Sequence, residues 1–271
     1  MKQLSLPPIW THRHYDTVDS TMLRCDPSPL EPGEFLLVTA DEQTAGRGQR
    51  GTTWESTKGL NLTFNIGWRP AAGNWPAANE QFLVSEITAL AVLRAIEDTL
   101  SEASPPALPD REGAALAIKW PNDIYYGDRK ICGMLLEHSL SGRRIEASIA
   151  GIGINVNQTS FATLAGRDEG RGAPISLRQI LGHDVPPETV LERFVAHFSD
   201  GVRLLQEGRY DEVEKAYTAL LYRRTGMHRY RDDEGEFLGG FVSIARNGIL
   251  TLRKADGTLR SYAFKEVTHV V

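Results

Sequence analysis

The sequence predicts an α+β fold, a mixed or antiparallel sheet with helices followed by a small all-β unit, and three patterns predict it. Strand-like segments flank a loop rich in glycine and arginine; a long helical repeat runs into a strand meander; and the last fifty or so residues turn into short strands separated by tight turns. At 271 residues and 41% hydrophobic content, the chain can bury a substantial core as one large domain plus a small one.

Phe35 to Ala40 is a short apolar run of buried-strand type. From Leu60 to Trp68, Leu60, Leu62, Phe64, Ile66 and Trp68 alternate with Asn61, Thr63, Asn65 and Gly67, the two-residue period of a strand. Between Asn79 and Leu100 the apolar residues Leu83, Ile87, Leu90, Leu93, Ile96 and Leu100 recur at helical spacing, with Asn79 as the expected N-cap and a break at Ser104-Pro105-Pro106. Ala115 to Lys119, Lys130 to Ser139 and Arg144 to Ala150 read as successive strands, turned at Tyr126-Gly127-Asp128 and at Ser141-Gly142. After a Gly- and charge-rich connection at Gly166 to Gly172, helical patterns cover Ser176 to Leu181, Pro187 to Gln206 and Tyr210 to Leu221. Strands at Glu236 to Ile244, Ile249 to Arg253 and Leu259 to Phe264 are separated by Asn247-Gly248 and Asp256-Gly257, both hairpin-turn pairs. The expected division is therefore residues 1–223 and 224–271.

Composition excludes several classes. No run approaches the roughly eighteen apolar residues of a membrane span, and the N-terminus lacks an apolar signal core. Two cysteines, Cys25 and Cys132, make no disulfide framework and no paired metal spacing, which fits a reducing cytoplasm. A net charge of −5 argues against a broadly basic nucleic-acid face.

The residues that carry chemistry lie at the strand ends. Gly46 to Gly51 packs three glycines and two arginines, Arg47 and Arg50, into six residues, with Trp54 just beyond. Glycine lets backbone approach an anion and arginine offers a planar cationic fork, so the run suits phosphate or carboxylate. By itself such a run more often describes a flexible surface loop or a nucleic-acid-binding tract. Lys119 closes an apolar strand beside Trp120-Pro121, where it is either a snorkelling edge lysine or a cation held for a phosphate. Ser20 and Thr21 suit a helix N-cap, and Asn122, Asp123 and Asn155 suit turns. The seven histidines show no metal spacing.

Taken together, Asp19-Ser20-Thr21, Gly46 to Gly51 with Trp54, Lys119 to Tyr125, Asp128 to Glu137 and Gly151 to Asn157 resemble, in order and spacing, the biotin protein ligases, and the likeness covers nearly the whole chain. The resemblance implies a catalytic domain like that of class II aminoacyl-tRNA synthetases and a C-terminal SH3-like β barrel. It implies a monofunctional C–N bond-forming ligase that makes biotinyl-5'-AMP from biotin and ATP. The biotin then passes to a lysine of the biotin carboxyl carrier domain of a biotin-dependent carboxylase. The same fold serves lipoate or octanoate ligases, and a non-catalytic biotin-responsive regulator is the alternative of another class.

By resemblance, Lys119 and Arg47 are catalytic. Ser20, Thr21, Gln43, Gly46, Arg47, Gly48, Gln49, Lys119, Gly133 and Gly151 meet biotin. Arg47, Arg50, Gly51, Trp54, Lys119, Asn122 and Asn155 meet ATP, and Asp123 with Asn155 holds nucleotide-bound Mg²⁺, a hard ion that prefers oxygen. Gln49 stands where the family commonly has arginine, and Met22 where it has asparagine. There is no room for a helix-turn-helix before Trp10, so no DNA is expected as a partner, nor a membrane, and the expected state is a monomer or weak homodimer.

Overall fold

In a strand, alternate side chains face opposite sides, and this sequence uses the alternation to separate a dry face from a polar one. The computed structural model describes residues 4–46, 54, 56–102, 116–161 and 173–270. Seven strands form the main sheet: β1 (Trp10–Val18), β2 (Phe35–Gln43), β3 (Leu62–Trp68), β4 (Leu116–Lys119), β5 (Asp123–Tyr126), β6 (Arg129–Ser141) and β7 (Arg144–Ile154). Their order is β1-β2-β3-β7-β6-β5-β4, with β1 and β2 parallel and every other pair antiparallel.

The dry face lies under α2 (Phe82–Glu102) and α4 (Pro187–Gln206), with α3 (Leu177–Leu181) and α5 (Tyr210–Ala219) beside them. Phe64 meets Phe194 at 5.0 Å between ring centroids and Trp68 meets Phe198 at 5.4 Å, while Trp10 stacks on Phe35 at 4.7 Å. Gly201 brings α4 close to α2, since a Cβ there would stand 2.9 Å from the Ile87 side chain. The opposite face carries Asn65, Gly67, Gly151 and Gly153, and α1 (Thr21–Arg24) lies against it, with Met22 against Asn65 and Cys25 against Gly67.

The fold class follows the expectation, including the terminal β unit. Strands β8 (His228–Asp232), β9 (Gly235–Ile244), β10 (Leu250–Lys254), β11 (Leu259–Tyr262) and β12 (Thr268–His269) form one antiparallel sheet in the order β11-β10-β9-β8-β12. Gly248 and Gly257 both take φ +89°, the left-handed backbone that the Asn-Gly and Asp-Gly turns require. Three details differ. Asn79 is not an N-cap but sits inside a short 3-10 turn, Ala78–Glu80, that leads into α2. Strand β5 occupies residues with no marked period, because its register shifts between Ile124 and Tyr125. Strands β8 and β12 carry too many charged and polar residues to stand out as strands. The connection at Gly166 to Gly172 and the Pro105-Pro106 break lie outside the described residues, among which no helix is long and apolar enough to cross a membrane.

One carboxyl group is sealed into this core. Glu86 of α2 is 3% exposed, and its Oε2 has no hydrogen-bond partner among the described residues. Burial first, and the Glu214 carboxylate second, push it up to about 8, while Arg246 pulls the other way. An unfolded glutamate titrates near 4.5. From there to about pH 8 the native state holds a proton that the unfolded chain has shed, so stability falls as pH rises across that window. Glu86→Gln is therefore expected to leave stability nearly unchanged near pH 4 and to raise it by ~4 kcal/mol at pH 8. Denaturant unfolding at the two pH values decides this, and equal shifts at both would show that the carboxyl is ionised in the fold.

Candidate active site

Residues directly opposite one another on neighbouring strands face the same side, so the register itself assembles the site. Lys119 pairs with Asp123, Asp123 with Gly133, Gly133 with Gly153, and Gly153 with Thr63, giving one row across five strands. The next row on this face contains Asn65 opposite Gly151. A lysine and a carboxylate at one end of the sheet thus share a face with an asparagine about four strand spacings away, roughly 19 Å, across a floor of glycines.

At the far end Thr21 joins three elements. Its N–H and its hydroxyl both lie within hydrogen-bond distance of Gln43 Oε1, at 2.8 and 3.0 Å, and the hydroxyl also meets Asn65 Oδ1. Ser20 occupies the N-cap position of α1, but its hydroxyl caps nothing; Asp19 Oδ1 accepts from its backbone N–H at 2.8 Å instead. Ser20, Thr21 and Asn65 are all buried. Met22 closes the pocket on one side: Asn65 Nδ2 lies 3.2 Å from its Sδ, and a Cβ on Gly151 would come within 2.9 Å of Asn65 and 3.1 Å of Met22.

The floor bears a ring. Trp54 lies over Gly153, where a Cβ would stand 2.3 Å from the indole, and reaches Gly133, where it would stand 3.3 Å away. Only glycine permits that approach. Trp54 N–H donates to the Gly46 carbonyl at 3.1 Å, pinching together the two ends of the arginine loop. Arg47, Gly48, Gln49, Arg50 and Gly51 lie outside the described residues.

At the near end Lys119 is buried with its Nζ 3.0 Å from the Tyr125 hydroxyl and 4.7 Å from the centre of that ring. Tyr125 packs on Tyr222, and Tyr222 on His269 of β12, with centroids 5.4 and 5.3 Å apart. Burial, followed by the charge of Lys119, holds His269 down to about 3, so its imidazole is neutral beside the ammonium. Asp123 is paired with Lys130 at 2.7 Å. The Asn122 amide donates to the Met134 carbonyl, and Asn155 Nδ2 to the Lys130 and Ile175 carbonyls at 3.4 and 3.1 Å. Both asparagines thereby brace the turns around the site through their amide nitrogens. Cys132 is fully buried and burial pushes its thiol up, as expected of a small core residue.

The structure thus brings Ser20, Thr21, Gln43, Gly133, Gly151, Asp123, Lys119 and Trp54 to one face. Asn65, Tyr125, Lys130 and His269 belong to the same site without having been marked in the sequence. Asn65 was hidden by being a polar member of an alternating strand, and its being buried is known only from the structure.

Comparison with known proteins gives a consistent picture. The biotin/lipoate A/B protein ligase family matches residues 18–155. A Paracoccus denitrificans biotin–[acetyl-CoA-carboxylase] ligase is 35% identical over 221 residues, covering 81% of this chain and 85% of that one. The Aquifex aeolicus biotin protein ligase, solved in complex with biotin and ATP, superposes with TM-score 0.68 at 23% identity over 95% of this chain and 97% of its own, a likeness of fold. The Leishmania major enzyme, solved in complex with biotinyl-5-AMP, is 27% identical with TM-score 0.59, over 95% and 99% of the two chains.

Proposed function

Because the chain belongs to the biotin/lipoate A/B protein ligase family, we propose that it joins biotin to a carrier protein in two steps at the glycine-floored face of the main sheet. The observation that carries this reading is the placement of buried Thr21 and Asn65, bridged to half-buried Gln43, and of a buried Lys119 on one face, separated by glycines. A urea ring offers two N–H donors and one carbonyl, which suits amide oxygens with a hydroxyl at the closed end. An acyl chain crosses the floor, taking the place that the Trp54 indole holds over Gly153 and Gly133, and delivers its carboxylate to the lysine.

In the first step a carboxylate oxygen attacks the α-phosphorus of ATP; the bond to the pyrophosphate oxygen breaks, and biotinyl-5'-AMP forms. Lys119 balances charge at that phosphorus. In the second, a carrier lysine amine attacks the acyl carbon, the C–O bond to AMP breaks, the amine loses a proton, and an amide results. No protein nucleophile is needed. Ser20, Gly46, Gly48 and Gln49 complete the biotin side, and Arg47, Arg50, Gly51, Trp54, Asn122 and Asn155 the nucleotide side. Asp123 and Asn155 bring oxygen donors that fit Mg²⁺, which neutralises phosphate charge when bound, provided Lys130 releases Asp123. Residues 1–223 form the catalytic domain and 224–271 the β domain, and the partner is the carboxyl carrier domain of a biotin-dependent carboxylase.

The direct test is incubation with ATP, Mg²⁺ and biotin, lipoate or octanoate in parallel, scored by mass spectrometry for the acyl-adenylate and then for a modified carrier. A lipoyl or octanoyl adenylate without the biotinyl one would move the assignment to the other branch of the family. Thr21→Val, close in shape but without the hydroxyl, is expected to raise the KM for biotin by roughly tenfold with little change in kcat, since one lost hydrogen bond to a buried partner costs about 1–2 kcal/mol. Isothermal titration with biotin alone checks it, and unaltered affinity would remove Thr21 from the pocket.

A further inference from the structure

We propose that Arg246, in the turn between β9 and β10 of the C-terminal β domain, is a positioning residue for Lys119, acting by clamping the adjoining Trp120. This rests on the ligase reading above.

The clamp is built from both sides. The Arg246 guanidinium reaches Glu214 at 3.0 and 3.1 Å, Glu80 at 3.1 Å and Asp211 at 2.7 Å, so one side chain ties the turn to α5 and to the 3-10 turn before α2. Its carbonyl accepts from Phe82 N–H at 3.1 Å. Two residues on, the Gly248 carbonyl accepts the Trp120 indole N–H at 3.1 Å, and Phe264 packs on Trp120 and Phe82 with centroids 5.5 and 5.8 Å apart. The turn fits tightly, since a Cβ on Gly248 would meet Phe264 at 2.7 Å. From the other side, Ile118 exchanges backbone hydrogen bonds with Leu220 and Tyr222 at 2.8 and 2.9 Å, and the Tyr217 hydroxyl donates to the Pro121 carbonyl at 3.2 Å. Residues 118–121 are therefore held between α5 with its following segment and the Arg246 turn. Trp120 is the handle on which the turn pulls.

The bonds of Arg246 are largely solvent-exposed at Asp211 and half-buried at Glu80 and Glu214, which makes them modest contributors to stability. Their effect on rate is larger, because catalysis is sensitive to displacements of about 1 Å at the reacting groups. Arg246→Ala is expected to lower kcat for biotinyl-adenylate formation by roughly tenfold, with the KM for biotin nearly unchanged, and Arg246→Lys should restore part of the loss.

Three readouts test the proposal. The double variant Lys119→Ala/Arg246→Ala should be no slower than Lys119→Ala alone, because the clamp has nothing left to position. Trp120→Phe, which keeps the contact with Phe264 and loses the indole donor, should give a milder loss of the same kind. Hydrogen exchange of the Trp120 indole N–H, followed by NMR, reads the clamp apart from activity, and Arg246→Ala should speed it. Unchanged exchange, a kcat within twofold of wild type, or losses that multiply in the double variant would each overturn the inference. A wild-type protein that forms no adenylate would instead sink the ligase reading, with the exchange measurement still deciding whether the clamp exists.

Discussion

Lys119→Ala is expected to reduce biotinyl-adenylate formation by roughly 10²-fold or more while the fold persists, because one preorganised cation facing developing phosphate charge is typically worth a few kcal/mol. Lys119 ends β4, shares a row with Asp123 and the glycine floor, and has its Nζ placed by the Tyr125 hydroxyl. Alanine leaves the β4 pairing to β5 untouched, since those bonds are made by backbone. Arginine would keep the charge and still lose most of the rate, as a planar fork does not occupy the position of a compact ammonium. Single-turnover formation of the adenylate at saturating biotin and ATP, beside a circular dichroism spectrum, gives the result. A rate near wild type in the alanine variant would place the phosphate somewhere else on the molecule.

Phe198→Ala is expected to cost about 3–5 kcal/mol of stability, the range for emptying a fully buried aromatic site. Phe198 has no exposed surface and meets Trp10, Phe35, Trp68 and Phe194 with ring centroids 5.4 to 6.2 Å apart. It lies on the dry face of the sheet, with the site on the other. At a temperature where the variant is folded, adenylate formed per folded molecule should therefore match wild type. Guanidinium unfolding with an unchanged slope and a lowered midpoint is the expected record. A loss below about 1.5 kcal/mol would mean that the helices close over the gap.

The polar ends of the site were legible because residue chemistry there departs from local need. A lysine at the end of an apolar strand, glycines at strand positions and arginines among glycines have no packing reason to be where they are, and the first two sets share the site face. Asn65 was not legible because it fits its strand pattern, and Tyr125 because its short strand has no marked period; only the register shows which face each serves. The contribution of the terminal β unit was hidden for a different reason: His269 and Arg246 meet Tyr222, α5 and the 3-10 turn before α2 only through contacts distant in sequence, which periodicity does not report. The N-cap expected at Asn79 failed where the backbone entered a 3-10 turn, and the one expected of Ser20 or Thr21 was met in position but not in bonding.

The sealed carboxyl of Glu86 also gives folding a proton stoichiometry. Between about pH 5.5 and 7.5 the unfolded chain surrenders nearly one proton that Glu86 keeps in the fold, whose carboxyl titrates near 8 rather than 4.5. His138 and His269, held by burial down to about 4 and about 3, do the opposite: they stay neutral in the fold and bind protons once unfolded, around their ordinary 6.5. At pH 6.5 each released imidazole is half protonated, so the two together take up what the one glutamate gives back. Unfolding then exchanges no net protons through these three groups. Above that point these three groups together release protons as the chain unfolds, and below it they take protons up, with His12, also lowered by burial, adding to the uptake.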